Sequence, residues 1–375
     1  MDILITGATG FIGIALCRRL ASDHNVVGIY HRKEPVKPVN PVNIVWEGAD
    51  MTNGSSITAI CEKYSPDVVI HCAGVSHRKI GSLGASSYMR VNSKATEDLA
   101  KAASKSNPGV CFIFLSSISV YGEDPQMTER KPKKTNNNGV DENIHYKSLN
   151  NYAYSKLDAE RRLIALAGEG ILRSLIILRL APVYDRKWSL NLDRRVLAPL
   201  NVAYIRFGSG LQKLSALARP NLIDFVEFLI RRLHRLLEID IDRCPTIAHI
   251  DADENNIKKS WARQNNLCRQ RNSEIYIFNV CDIEAYEFNK VIQIFQNSRI
   301  RPTRPVIPVP LPLVWLATRI AGTLFPHKRG WLHSCYDKLA SNLVFDNEKM
   351  LTTGFRPCHS LETIFGSQIT QMHAD

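Results

Sequence analysis

Thr6-Gly7-Ala8-Thr9-Gly10-Phe11-Ile12-Gly13 follows the apolar run Ile3-Leu4-Ile5 and leads into a helix-like segment, residues 12–22. A strand, a glycine-rich turn and a helix in immediate succession form a phosphate-binding device. Small residues let the backbone approach a pyrophosphate, and the helix N-terminus offers free N–H groups and a positive dipole. Glycines at this spacing say little alone; the strand before them and the helix after them predict a dinucleotide-binding turn. The candidate cofactor contacts here are Gly7, Thr9, Gly10, Phe11, Ile12 and Gly13.

The pattern continues outward. Strand-like runs at 2–6, 26–30, 44–46, 67–71, 110–116 and 175–180 alternate with helix-like runs at 12–22, 56–64, 86–104 and 152–167. Val68-Val69-Ile70 and Cys111-Phe112-Ile113-Phe114-Leu115 are continuously apolar, as strands covered on both faces require. The expected fold is α/β: a Rossmann doubly wound parallel sheet with helices on both faces. Beyond Pro182 the alternation fades. A helix is expected near 222–237 and a late strand at 275–280. We expect residues 1–185 to form the nucleotide-binding domain, with later returns near 217–238 and 274–298. Residues 186–216, 239–273 and 299–375 are then a smaller mixed α/β substrate-binding region.

Strand ends should carry the chemistry. After the second strand stands Tyr30-His31-Arg32-Lys33 rather than a ribose-binding acid, which favours NADP over NAD. Asp50-Met51 follows the third strand, and the carboxylate is expected near the adenine. Cys72, Ala73 and Gly74 follow the fourth, where small residues let a cofactor pass. Tyr152 and Lys156 are four apart on a helix and so share a face. A nearby ammonium favours the phenolate, tuning a tyrosine to exchange a proton with an alcohol or carbonyl. Ser117, at the end of another strand, adds a hydroxyl facing the same crevice.

Together these segments resemble the extended short-chain dehydrogenase/reductases, the NAD-dependent epimerase/dehydratase family. It includes sugar-nucleotide epimerases and 4-keto reductases. Further carriers are Val91-Asn92, Leu115-Ser116-Ser117-Ile118-Ser119-Val120-Tyr121-Gly122, Tyr152-Ala153-Tyr154-Ser155-Lys156, Leu178-Arg179-Leu180-Ala181-Pro182-Val183-Tyr184 and the closing Leu351-Thr352-Thr353-Gly354-Phe355-Arg356-Pro357. The resemblance implies that Ser117, Tyr152 and Lys156 are catalytic. Tyr152 is the acid/base, Lys156 lowers its pKa and holds the nicotinamide ribose, and Ser117 binds the reacting oxygen. It also implies that Asn92 supports the lysine side and that Pro182 and Val183 pack near the nicotinamide. Ile118 and Ser119 replace the Asp-Glu pair that the family's dehydratases use, which argues against water elimination. Leu180 replaces a usual proline, and Asp185 stands where glycine is frequent.

The expected substrate is a nucleotide diphosphate sugar, turned over by an oxidoreductase or epimerase; a net charge of +12 suits such an anion. Ser76, His77, Ser119 and Arg219 are weaker substrate candidates. The alternatives are a sterol-like or other non-sugar ketone or alcohol, and a non-catalytic NAD(P)-binding regulator. The sequence contains no nucleic-acid-binding motif and no metal-ligand spacing, and its nine cysteines are dispersed. A strand-like opening without a basic leader suggests a cytoplasmic protein, and the family resemblance suggests a homodimer. Residues 305–325 are largely apolar but interrupted by prolines. They are expected not to span a membrane, while contact with a membrane surface stays open.

Overall fold

Alternate residues of each central strand enter opposite cores. Ile3 and Ile5 face one helical layer and Leu4 the other; Val26 and Val27 divide in the same way. This split follows from the two-residue period of a strand, and it explains the unbroken apolar runs. The computed structural model describes residues 1–32, 44–75, 84–122, 142, 150–241 and 273–366. Its central sheet comprises β1 (Asp2–Thr6), β2 (Asn25–Tyr30), β3 (Ile44–Gly48), β4 (Val68–His71), β5 (Cys111–Ser117), β6 (Ser174–Leu180) and β7 (Glu274–Val280). The order is β7-β6-β5-β4-β1-β2-β3, with every pairing parallel. The doubly wound α/β sheet expected from the alternation is present.

One face is covered by α1 (Gly13–Leu20) and α5 (Arg219–Ile241). The other is covered by α2 (Gly54–Tyr64), α3 (Ala95–Ser106) and α4 (Asn151–Gly168). The run expected as one helix over 86–104 is composite. Ala85–Tyr88 is α-helical, Met89–Lys94 is π-helical, and α3 follows. A π-helical stretch widens the turn by one residue and redirects the side chains on it. Asn150 caps α4, its side chain accepting from the Ala153 N–H at 2.9 Å.

Beyond β6 the described residues form three two-stranded pairings. Val183–Tyr184 pairs with Leu217–Ala218, Tyr204–Phe207 with Val306–Val309, and Lys213–Leu214 with Tyr286–Glu287. Their core gathers Tyr184, Tyr204 and Phe365 against α6 (Phe288–Asn297). After it come α7 (Leu311–Leu324) and α8 (Arg329–Ala340).

A buried ion pair ties this frame together. Arg179 of β6 meets Glu160 of α4 at 2.7 Å, their side chains 3% and 1% exposed. Ser116 donates to the same carboxylate. Arg179 also donates to the Tyr121 hydroxyl at 2.9 Å, which donates to Asn279 of β7 at 2.6 Å. Removing one partner of a buried pair strands the other charge and costs about 3–5 kcal/mol, whereas apolar replacement of both is often tolerated. Arg179→Met should therefore lower unfolding stability by roughly that amount, and Arg179→Met/Glu160→Met should recover much of it. Urea denaturation of both variants checks this; a double variant as unstable as the single one would refute it.

Candidate active site

The C-terminal ends of the strands converge on the glycine turn. Gly7 has φ +62°, and a Cβ there would lie 2.9 Å from the Cα and N of Ala73. A Cβ on Gly13 would lie 2.3 Å from the Gly7 carbonyl oxygen. Any side chain at either position would force the turn off β4 or off its own helix. Thr9 and Gly10 are exposed, Phe11 and Ile12 half-buried. Ile12, at the N-cap of α1, supplies no side-chain capping bond. These features fit a dinucleotide: an open turn of small residues under an uncapped helix start.

Beneath the turn lies an unforeseen hydrogen-bonded chain. His71 is fully buried. Its Nδ1 is 2.7 Å from the Thr6 hydroxyl, and its Nε2 is 2.9 Å from the Thr96 hydroxyl. Thr96 donates its proton to the Asn92 carbonyl at 2.8 Å, so it must accept from His71. The network thus assigns the proton to Nε2, and Thr6 donates to Nδ1 while accepting from the Ala73 N–H at 3.1 Å. Burial, aided by the Lys156 charge, pushes the imidazole down to about 3, so His71 is neutral. From Asn92 the chain continues through its side chain. That amide bonds both the N–H and the C=O of Val75, at 2.7 and 2.9 Å, and donates to Ser155 at 3.0 Å. Ser155 donates to the Tyr152 carbonyl at 2.8 Å.

Ser117 and Tyr152 meet at this level, and Lys156 lies one turn further along α4. Ser117 ends β5, its hydroxyl 3.1 Å from that of Ser119 and accepting from the Ser119 N–H at 3.2 Å. A hydrogen bond also joins Ser117 to Tyr152. Lys156 is buried; its Nζ donates to the Leu115 carbonyl at 2.8 Å and sits 4.5 Å from the Phe114 ring centre. A Cβ on Gly74 would lie 3.5 Å from that Nζ, so the lysine tip borders the β4 loop. Burial lowers Lys156 to about 8. The expected lowering of the tyrosine is not found in this state. Burial raises the Tyr152 phenol and outweighs the Ser117 bond. The lysine tip is engaged by the Leu115 carbonyl.

The outer candidates divide. Tyr30 packs over Gly48, and Arg32 is exposed. His31 Nε2 is 3.5 Å from the Asp50 carboxylate, so an acid does lie beside the end of β2, contributed by the turn after β3. Thr52 bonds hold Asp50 below the ordinary carboxylate range. Met51 is buried in the core; Cys72 is a half-buried thiol that burial raises. Pro182 accepts from the Leu217 N–H, and Val183 packs against the core. Arg219 stacks on Phe11, 4.5 Å from its ring centre, donates to the Phe11 carbonyl at 3.0 Å and pairs with Asp185. Asp185, an oddity in sequence, is thus the counter-ion of Arg219. Ser76, His77 and Lys33 lie outside the described residues.

The profile of the NAD dependent epimerase/dehydratase family matches residues 3–202. The chain belongs to that family. It is 33% identical over 235 residues to the UDP-glucose 4-epimerase of Vibrio cholerae, covering 60% of this chain and 65% of that protein. It is 31% identical over 145 residues to the dTDP-glucose 4,6-dehydratase of Salmonella typhimurium, covering 34% and 40%. The match therefore spans under two thirds of these relatives' lengths. In fold, it is similar to a UDP-glucose 4-epimerase from Thermotoga maritima with a TM-score of 0.62 at 17% identity, covering 98% and 96%.

The His71 environment has a pH signature. A histidine kept neutral when folded, at about 3, but titrating near 6.5 when unfolded stabilises the fold fully above pH 6.5. That contribution is lost as pH falls from 6.5 toward 3, because only the unfolded chain takes up the proton. Urea midpoints should fall more steeply with acid for the wild type than for His71→Gln. Parallel slopes would show that His71 is not the group.

Proposed function

We propose that this chain is an NAD(P)-dependent oxidoreductase or epimerase that acts on a nucleotide-linked sugar through Ser117, Tyr152 and Lys156. The observation that supports the reading is the hydrogen bond between Ser117 and Tyr152, with the Lys156 tip one helical turn along α4 bordering Gly74. When bound, the nicotinamide supplies the hydride acceptor and donor. The chain's part is to hold the reacting oxygen and manage its proton. Ser117 offers that oxygen a hydrogen bond. Tyr152 Oη takes or returns the proton at the same oxygen. Its place in the first turn of α4, at the positive end of the helix dipole, helps the phenolate form. A ligand that turned Lys156 away from the Leu115 carbonyl would bring the ammonium to bear on Tyr152 and on a ribose. Ile118 and Ser119 provide neither acid nor base, so elimination is not part of this reading. Family relatives named as epimerases of UDP-glucose support a nucleotide-sugar substrate.

Within this reading we favour an NADP-linked reductase, because β2 itself ends in Tyr30, His31 and Arg32 without a carboxylate. Asp50 beside His31 and the family's NAD dependence support an NAD-retaining epimerase instead. Nucleotide released from purified protein by denaturation separates the two. Tightly held NAD would rule out the reductase; an empty protein that binds NADP more tightly than NAD would support it. Tyr152→Phe should lower turnover about 100- to 10,000-fold while leaving dinucleotide affinity nearly unchanged, measured by steady-state kinetics and fluorescence titration. Undiminished turnover would remove Tyr152 from the chemistry.

A further inference from the structure

Among the described residues, helix α7 has little protein to cover it. Its only buried residue is Gly322, which lies against Arg329 of α8. Leu313, Trp315, Leu316, Ile320 and Leu324 are between 42% and 68% exposed, and Phe325 follows at 51%. Contiguous apolar exposure on this scale marks an interaction surface rather than scattered surface residues. Fourteen residues are too few to cross a bilayer. Among the described residues, no helix is long and apolar enough to do so.

The charge pattern selects the occupant. Residues 288–336 contain no Asp or Glu but seven Lys or Arg. Within this stretch, Lys328 and Arg329 stand at the turn into α8, both exposed, beside His327. Arg319 lies over the Trp315 ring at 4.8 Å and Lys328 over the Phe325 ring at 5.9 Å. Each cation therefore rides on an aromatic face, an arrangement that lets the ring enter an apolar layer while the charge stays at its polar edge. A second copy of the chain would bring the same acid-free segment, setting like charge against like. A surface of apolar tails bordered by anionic headgroups complements both halves of the pattern.

We propose that α7 and the turn into α8 dock the protein on an anionic lipid bilayer, with α7 lying in the plane of the interface. The surface is independent of the reading given to Ser117, Tyr152 and Lys156, and it would hold the enzyme beside a membrane whatever its substrate.

Vesicle flotation of the full chain tests this. Wild-type protein should float with mixed phosphatidylglycerol/phosphatidylcholine vesicles at low salt. The floated fraction should fall about tenfold with pure phosphatidylcholine, and similarly in about 0.5 M salt, where charge is screened. Leu316→Glu/Leu324→Glu, at two exposed positions, should keep the wild-type circular dichroism and thermal midpoint yet lose flotation. Lys328→Gln/Arg329→Gln should weaken flotation without abolishing it. Wild-type protein that stays at the bottom with anionic vesicles overturns the proposal, as does flotation that the Leu316→Glu/Leu324→Glu variant leaves intact. A dimer seen in sedimentation velocity that this variant dissolves, in the absence of flotation, assigns the face to a second copy and also overturns it.

Discussion

The close approach of Gly7 to the backbone of Ala73 is the constraint from which the site follows. At 2.9 Å there is no space for a methyl group, so the turn after β1 and the loop after β4 behave as one unit. Thr6 and His71 stand in register on neighbouring strands, which lets a hydroxyl and an imidazole bond directly beneath that approach. Each later link inherits its position. Thr96 bonds the other ring nitrogen, Asn92 holds Val75, and Ser155 holds the first turn of α4. The glycine turn and Tyr152, 146 residues apart between Thr6 and Tyr152, are thereby tied to each other.

The parts of this arrangement encoded locally were legible in the sequence. An apolar run, a glycine-rich turn and a helix-like period announce β1 and α1 from consecutive residues. Buried parallel strands reveal themselves by unbroken apolar stretches. The sequence marks Ser117, Tyr152 and Lys156 as candidates because each ends a strand or sits on a helical face, while Asn92 is marked only by the family resemblance. The linking chain was not legible. Thr6, His71, Thr96 and Asn92 are common residue types, and their partnership depends on strand register and on an added residue in one helical turn. Helical periodicity cannot reveal the π-helical stretch, since it shows only that a face repeats. The one hint at His71 was a polar ring closing the apolar run Val68-Val69-Ile70.

Two charged residues show how the fold alters a reading by type. Arg219 looked like a substrate contact, yet the structure gives it the Phe11 ring, the Phe11 carbonyl and the Asp185 carboxylate. Its cation already has a partner, so it braces the rim of the glycine turn. Spacing puts Lys156 on one helical face with Tyr152. Spacing does not say where a long side chain ends, and a buried ammonium takes the nearest carbonyl, that of Leu115. The half beyond β6 offered few motifs because it is built from short two-stranded pairings whose cores form only once distant segments meet.

The proton order along the His71 chain has a consequence for traffic through the site. It begins at an amide N–H, that of Ala73, and ends at an amide carbonyl, that of Asn92. Neither terminus readily releases or captures a proton, and the imidazole between them is too acidic to charge. The chain is consequently a strut and not a wire. On the function proposed above, a proton leaving Tyr152 would therefore have no route along this chain.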